Sequence, residues 1–171
     1  MTDTYETLKI EMHDPKIMVV IMNRPQALNA MNTKMMMEMR DCFQSFYVNP
    51  DQANCVILTG EGERGFCSGA DLKERDGMTE ETWKQQHAIV EQMVRALMIS
   101  PIPVIAAVNG VAFGGGFEIA LACDFIYMSQ TARLALPEVT RGIMPGAAGP
   151  QNLPRSAGVR RAKEIVLTGL P

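Results

Sequence analysis

The stretch VIAAVNGVAFGGGFEIALACD, residues 104–124, decides the fold. Its first five residues are apolar and either small or β-branched, and Asn109 and Gly110 follow them, which predicts a buried strand that ends in a tight turn. Glycines then occupy positions 114–116, and Glu118 enters a second apolar run. Bare glycine backbone lets a ligand lie against the chain, and the amide N–H groups that begin the next helix are free to donate to it. The stretch therefore predicts a helix whose N-terminus binds a developing oxyanion.

Glu118 is the first catalytic candidate in the chain. The residues after it, IALAC at 119–123, are apolar, so its carboxyl group is expected to face the interior. Burial without a cationic partner raises a carboxyl pKa toward the range useful for acid–base catalysis. A structural interpretation fits the same residues, with the glycines permitting a close helix–strand crossing and the acid stabilising the helix N-terminus. Both interpretations stay open at this point.

Composition bounds the domain count and the partners. The chain has 171 residues, 47% of them hydrophobic, which is enough for one sizeable core, and we expect one domain over residues 1–171. Sixteen basic residues against 19 acidic ones give a net charge of −3 without a basic block, so neither nucleic acid nor an anionic membrane is an expected partner. The apolar runs are too short to span a membrane, and residues 1–20 lack the order of a signal peptide. A soluble, cytoplasmic protein is expected.

Cysteine, histidine and methionine usage gives no sign of a metal site. The cysteines show no CxxC pairing, and two histidines are too few to complete a zinc site with them, so reduced thiols are expected. Cys67 beside Ser68 has no histidine in a nearby motif, which argues against nucleophilic catalysis. His87 is expected at a helix surface or in the core. The methionines at 31, 35, 36, 37 and 39 are expected to fill the core.

Periodicity and turn residues predict the remaining elements. Strands are expected over residues 5–12, 17–22, 54–59, 124–128 and 133–135, and helices over residues 33–48, 79–99 and 159–167. A turn is expected at Asp14 and Pro15, and a loop over residues 137–146 carries a second acid, Glu138. Strand–turn–helix units recur at Ile17, Val56 and Val104, which predicts one α/β domain of stacked ββα-like units.

The glycine-rich segment GEGERGFCSGAD, residues 60–71, is expected to be an exposed turn after a strand. Gly69 and Ala70 are small enough for backbone amides to meet a carbonyl oxygen, so this segment is the natural second arm of an oxyanion hole. For Glu74 and Arg75 the preferred interpretation is the solvated first turn of a short helix.

Three separated segments resemble the crotonase, or enoyl-CoA hydratase/isomerase, superfamily. They are FCSGADLKE at 66–74, NGVAFGGGFEIALACD at 109–124 and PEVTRGIMPGAAG at 137–149. Three motifs in the family's order are specific, whereas a single glycine cluster is not. The resemblance runs from near the first strand to residue 171 and implies the ClpP/crotonase-type spiral fold of stacked ββα units.

The resemblance also implies a substrate and roles for individual residues. The substrate is a CoA thioester whose carbonyl oxygen is held by the amides of Ala70 and Gly115. In the hydratase branch two glutamates act at the enoyl double bond, and acids stand at both matching positions. Glu118 is assigned mainly to water activation and Glu138 mainly to proton donation, which implies an enoyl-CoA hydratase, a lyase. No cofactor is implied, because coenzyme A is part of the substrate.

The CoA-binding residues are likewise implied by the resemblance, through the RPxALNA segment at residues 24–30 and the segment around Ala70. Lys73 is expected to pair with a phosphate, and a solvated lysine at a helix start is the alternative. The expected substrate-binding residues are Gln26, Ala27, Leu28, Ser68, Ala70, Asp71, Leu72, Lys73, Gly114 and Gly115.

Two departures from the family pattern bear on function. Ala148 stands where the family usually has glycine, and Pro150 stands where it usually has threonine, which a first helical turn tolerates. Family members usually continue beyond the position of Pro171 with helices that complete the acyl pocket and join subunits, so the chain is expected to be C-terminally truncated. The resemblance implies a homo-oligomer, a trimer or paired trimers.

Three other functions were weighed against hydration. An isomerase or another crotonase-type acyl-CoA enzyme is one alternative, and a non-catalytic acyl-CoA-binding fragment is another. A dinucleotide-binding module fits poorly, because residues 110–116 do not form GxGxxG and no acid follows at the usual distance.

Overall fold

The structure, a computed structural model, describes residues 5–13 and 16–171, so the turn predicted at residues 14 and 15 lies outside the described residues. The strands are β1 Leu8–His13, β2 Ile17–Met22, β3 Cys55–Gly60, β4 Gly65–Cys67, β5 Val104–Val108, β6 Val111–Phe113, β7 Phe125–Met128 and β8 Arg133–Ala135. The α-helices are α1 Thr33–Val48, α2 Leu72–Arg75, α3 Glu80–Met98, α4 Gly115–Ala122, α5 Gly149–Ala157 and α6 Val159–Thr168. The predicted strands and helices are confirmed within a few residues, whereas β4, β6 and α5 were not predicted.

The larger sheet runs in the order β1-β2-β3-β5-β7. β1 and β2 pair antiparallel, and each later neighbour pairs parallel. Parallel neighbours need a crossover between them, and the helices that follow each strand supply it. Burial alternates along β3 and β5, so the continuous apolar run of residues 104–108 has one fully buried face and one half-buried face.

The second sheet is short and parallel, with the order β4-β6-β8. Each of its strands follows directly after a strand of the larger sheet and precedes a helical segment. An isolated parallel bridge between Met31 and Ala70 lies just beyond β4 in the chain. The prediction of stacked ββα units is therefore confirmed, and the short strands are the second β of the units that begin at β3, β5 and β7.

Helix α1 supplies much of the methionine content of the core. The Asn32 side chain caps its N-terminus by accepting from the Met35 amide at 3.0 Å. Met35, Met36 and Met39 are at most 1% exposed, while Met37 is 39% exposed. The prediction that these methionines fill the core is confirmed for all of them except Met37.

The thiols and histidines are placed as predicted. None of the four cysteines, all within the described residues, forms a disulfide, and burial raises the pKa of the Cys67 thiol to about 12, which leaves that group without a thiolate nucleophile at neutral pH. His87 stacks on Trp83 at the surface, with ring centroids 5.1 Å apart. In residues 5–13 and 16–171, no group of three or more His, Cys, Asp and Glu side chains is placed to hold a metal ion. No helix in these residues has the length and apolar character needed to cross a membrane.

Two segments that were predicted as loops are more ordered than expected. Within residues 60–71, the strand β4 is buried at all three of its positions, and only residues 62–64 before it are exposed. Pro137–Arg141 is a 3-10 helix instead of loop, because proline at the first position already has a helical φ. Glu138 therefore lies on a helical turn, and its side chain is buried.

Candidate active site

The N-terminus of α4 supplies the first candidate oxyanion donor. The chain leaves β6 through Gly114, whose φ of +53° strains any residue with a side chain, and Gly115 is the first helical residue. The Gly115 amide therefore lacks a helical acceptor. A Cβ atom on Gly116 would overlap the Cys67 carbonyl oxygen, so this glycine allows the close crossing of α4 over β4. The structural interpretation thus holds at Gly116. Gly115 is half-buried and remains open to a ligand, whereas Gly114, an expected substrate-binding residue, is buried and donates its amide to the Ala135 carbonyl at 2.9 Å.

The second candidate donor, Ala70, lies beside the first. Met31 donates its amide to the Gly69 carbonyl at 2.8 Å and accepts from the Asp71 amide at 2.9 Å, so the amide of Ala70 between them points to the other side. The Ala70 nitrogen is 3.9 Å from where a Cβ atom on Gly115 would stand. Over the described residues, neither the Ala70 nor the Gly115 amide donates to a protein acceptor. The two amides are close together and free, as an oxyanion hole requires.

Glu118 is buried in α4 with 2% of its surface exposed. Its Oε1 atom accepts hydrogen bonds from the amides of Ala147, at 2.8 Å, and Gly149, at 2.7 Å. Burial raises the pKa of Glu118, and the amides of Gly149 and Ala147 oppose part of that rise by stabilising the charged form. The predicted burial and the predicted direction of the pKa shift are both confirmed.

Glu138 reaches the same region from the 3-10 helix Pro137–Arg141. Its side chain is 8% exposed, and its Oε1 atom lies 3.0 Å from where a Cβ atom on Gly114 would stand. Its Oε2 atom is buried and has no hydrogen-bond partner in the described part of the chain. Burial raises the pKa of Glu138, and the negative charge of Glu118 raises it further. The fold therefore brings both predicted carboxyl groups to the two free amides.

The two predicted CoA-binding segments contact each other through Ser68. The Ser68 amide donates to the Leu28 carbonyl at 3.0 Å, and its hydroxyl donates to the Ala27 carbonyl at 3.3 Å. Gln26 is exposed on the 3-10 helix Pro25–Ala27. The segments form one continuous surface next to Ala70, and their role in binding coenzyme A stays a prediction.

Asp71, Leu72 and Lys73 follow Ala70 and differ in their surroundings. The Asp71 carboxylate accepts from the Arg24 guanidinium at 2.8 Å and from the amides that begin α2. Burial opposes ionisation of Asp71, yet Arg24 and these amides hold the pKa of that carboxyl below its usual value. Leu72 and Lys73 are exposed and remain available to a ligand. Asp71 instead anchors the segment that carries Ala70.

Several residues that shape the site were not predicted from the sequence. Arg24 holds Asp71, and Asn29, fully buried with φ of +54°, donates to the carbonyls of Glu61 and Gly65. The RPxALNA segment was the signal in the sequence that could have revealed Asn29. Asparagine adopts the left-handed backbone conformation more readily than most residues do. Each of these residues fixes the backbone beside a candidate donor.

The interpretation of Glu74 and Arg75 as solvated residues is wrong. Glu74 accepts from the Thr33 amide at 2.7 Å and from the Gln86 side chain at 3.0 Å. Arg75 donates to the Gln86 side chain at 2.8 Å and is half-buried. Both partners lie far away along the chain, so the local pattern of a short charged helix did not reveal them.

Comparisons with known proteins agree with this geometry. The sequence matches the family model described as Enoyl-CoA hydratase/isomerase over residues 13–171. The Short-chain-enoyl-CoA hydratase of Clostridium acetobutylicum is 42% identical over 153 residues, which cover 90% of this chain and 58% of that protein. The Crotonyl-CoA hydratase of Syntrophomonas wolfei is 38% identical over 165 residues, which cover 96% and 62%. The crystal structure of enoyl-CoA hydratase from Bacillus anthracis superposes with a TM-score of 0.92 at 40% identity, covering 96% of this chain and 63% of that one.

The chain thus spans between 58% and 63% of the length of these relatives. The structural match confirms the predicted crotonase-type spiral fold. The family match covers almost the whole chain, including all three motifs that carried the resemblance. The chain therefore belongs to the enoyl-CoA hydratase/isomerase family.

Proposed function

We propose that the chain is a lyase that adds water to a 2-trans-enoyl-CoA and gives a 3-hydroxyacyl-CoA. The observation that carries this proposal is the pair of buried carboxyl groups, Glu118 and Glu138, beside the free amides of Ala70 and Gly115. Attack on the β-carbon places negative charge on the thioester oxygen, and two amides at that oxygen stabilise the charge. The relatives named as hydratases support the same reaction class.

The surroundings of the two carboxyl groups support different protonation states. Two amides donate to Glu118, which favours its ionised form and suits a base. Glu138 has a buried oxygen without a donor, and the charge on Glu118 opposes its ionisation, which suits an acid. Glu118 takes a proton from water as the water oxygen bonds to the β-carbon, and Glu138 gives its proton to the α-carbon. Transfer of a proton from Glu118 to Glu138 restores both groups.

The substrate's coenzyme A is proposed to lie along the surface formed by Gln26, Ala27, Leu28 and Ser68. Ser68 joins the two segments of this surface, and Ala70 at its end holds the thioester. Lys73 is exposed in the first turn of α2, where its ammonium group is free to reach a phosphate. The proposed reaction uses only the residues of the protein, water and the CoA ester.

A second candidate reaction is double-bond isomerisation. The family description names both activities, and two carboxyl groups at one site are also able to move a proton between carbons. A third candidate, acyl-CoA binding without turnover, stays a prediction. Product analysis separates the three, because hydration removes the conjugated double bond and isomerisation relocates it.

The expected trimer or paired trimers and the cytoplasmic location remain predictions. Apolar side chains such as Phe125, Tyr127 and Leu167 are more than half exposed, which supports further contacts with other subunits. Sedimentation of the purified chain tests the oligomeric state, with a monomer as the contradicting result.

The test of the proposed function is the absorbance of crotonyl-CoA, followed with the chain and with Glu118→Gln and Glu138→Gln. We expect wild type to remove the conjugated absorbance and each variant to lower kcat by at least about 100-fold, the loss typical of removing an acid or base. Glu63→Gln, at an exposed acid, is the matched control and is expected to retain full activity. A wild-type chain that binds the ester in calorimetry without changing its absorbance contradicts the proposal.

A further inference from the structure

Gln86 on α3 joins three helices through its buried side chain. It is 2% exposed, although glutamine is ordinarily a surface residue. Its amide nitrogen donates to the Thr33 hydroxyl at 2.8 Å and to a Glu74 oxygen at 3.0 Å, and its oxygen accepts from Arg75 at 2.8 Å. A buried amide whose donors and acceptor all have partners fixes those partners relative to one another. Gln86 thereby fixes α2 against the N-terminus of α1.

Glu74 provides the second bond between the same two helices. One of its oxygens accepts from the Thr33 amide at 2.7 Å, at the first residue of α1. That amide has no partner within the helix, and a carboxylate is favoured at a helix N-terminus. Gln86 donates to this same oxygen, so its amide determines where the Glu74 carboxylate lies.

These contacts lie beside the backbone bridge that orients the Ala70 amide. Met31 and Ala70 form that bridge, Thr33 follows Met31 by two residues, and Glu74 follows Ala70 by four. On its other side the Ala70 segment is held by the Arg24–Asp71 ion pair at 2.8 Å. Both segments of the bridge are therefore tied together twice. Asp71 in one tie is itself an expected substrate-binding residue, whereas no residue of the Gln86 network is.

We propose that Gln86 is a positioning residue that holds the Ala70 amide in line for the thioester oxygen. Its catalytic consequence rests on the proposed hydratase function. Gln86 acts through Glu74 and Thr33 and does not touch the substrate. Amides that stabilise an oxyanion act through alignment fixed before the reaction, so a small shift of Ala70 weakens the transition state more than it weakens binding.

The first variant is Gln86→Met, which keeps the length of the side chain and removes its hydrogen bonds. We expect faster hydrogen–deuterium exchange over residues 68–76 than in wild type. Cinnamoyl-CoA is the spectroscopic probe, since its bound absorbance moves to longer wavelength when the carbonyl is polarised, and that shift is expected to shrink. We expect kcat for crotonyl-CoA to fall about 10-fold, with KM changed less than about twofold, as for a transition-state interaction.

A second variant tests rescue. Exchanging the pair, with Gln86→Glu and Glu74→Gln together, preserves the net charge and the number of donors and acceptors between α1, α2 and α3. We expect this double variant to recover most of the exchange protection and most of the absorbance shift. Glu38→Gln is the control, because Glu38 is also buried and hydrogen-bonded, but its bonds go to residues 6 and 7. It is expected to leave exchange over residues 68–76 unchanged.

The result that overturns the proposal is a folded Gln86→Met protein with wild-type exchange over residues 68–76 and a wild-type absorbance shift. Equal losses in Glu38→Gln and Gln86→Met also overturn it, because they indicate a general loss of stability. A wild-type chain that shifts the bound probe's absorbance and does not hydrate crotonyl-CoA contradicts only the proposed function. The exchange measurement still tests Gln86 in that case, since it needs no turnover.

Discussion

The two buried carboxyl groups of the site have opposite surroundings. Glu118 belongs to α4, which is buried along nearly all its length, and one of its oxygens accepts from two amides. Glu138 belongs to a short 3-10 helix whose next three residues are exposed, and one of its oxygens has no partner within the described residues. Similar burial thus produces a fixed carboxylate in one case and a carboxyl group with an unused oxygen in the other. Hydrogen bonds, more than burial, distinguish the proposed base from the proposed acid.

The largest effect on the difference between the two carboxyl groups is expected from Gly149→Ala, which displaces Glu118 from its two amide donors. A Cβ atom at this position would lie 2.7 Å from Glu118 Oε1, closer than real Cβ contacts come, so the carboxylate must move away from the two amides. Alanine is otherwise favourable near the start of a helix, which limits the cost in stability. The added Cβ atom would also lie 2.9 Å from Glu118 Cγ, and overpacking a buried site costs about 1–3 kcal/mol. We therefore expect kcat to fall about 100-fold and the melting temperature to fall by a few degrees. Steady-state kinetics with crotonyl-CoA measure this loss.

Gly146→Ala is the matched control for that substitution. It lies in the same loop, and the nearest atom to its added Cβ would be His87 Cε1 at 3.7 Å, an ordinary contact. We expect its kcat to stay within about twofold of wild type. Equal losses in the two variants contradict the view that Gly149 acts by leaving room for Glu118.

The second prediction concerns pH and the cost of the charge on Glu138. Its pKa is raised above the ordinary 4.5, so the unfolded chain releases this proton at lower pH than the folded chain does. Stability from this group is therefore fully present below pH 4.5 and is lost as pH rises through the folded pKa. Glu138→Gln removes that loss, and we expect its melting temperature to exceed that of wild type at pH 7.

The measurement is thermal unfolding of both proteins between pH 4 and pH 8. The difference between them is expected to close toward pH 4, where both states of wild type are protonated. Glu118→Gln is expected to change in the same direction, because the pKa of Glu118 is also raised. A difference that widens as pH falls would show that Glu138 stabilises the fold as a carboxylate and would contradict its role as an acid.

The sequence predicted the parts of the site that depend on local pattern. The glycines before Glu118 predicted free amides at a helix start, and the apolar residues after it predicted burial with a raised pKa. The strand β5 was predicted to the residue, because its apolar run ends at the turn residues Asn109 and Gly110. Helix α1 was predicted from a cap at Asn32 or Thr33 to about residue 48, and Asn32 is the cap.

What the sequence did not reveal depends on distant partners. β4 and β6 have three residues each and no periodicity of their own, and pairing with each other and with β8 stabilises them. Glu74 lies 41 positions from Thr33 and 12 from Gln86, so its charge pattern alone indicated a solvated helix. Glu138 was recognised as an acid by its motif, whereas the proline-started 3-10 helix that buries it was not predicted.

The smallest expected effect is that of Ala148→Gly on the melting temperature. Ala148 lies in the loop whose amides donate to Glu118. Ala148 has φ of +70° and stands where the family usually has glycine, so this left-handed alanine is strained by about 1–2 kcal/mol. Glycine removes the strain, but it also increases the conformational entropy of the unfolded chain, which destabilises the folded state by about 0.4–1 kcal/mol. We expect the melting temperature to rise by about 1–3 °C with kcat unchanged, since the amides of Ala147 and Gly149 still reach Glu118.

Ala147→Gly is the control. The φ of Ala147 is not positive, so this substitution relieves no strain and is expected to lower the melting temperature. A fall in both variants would mean that the Ala148 methyl group contributes more by packing than its backbone costs in strain.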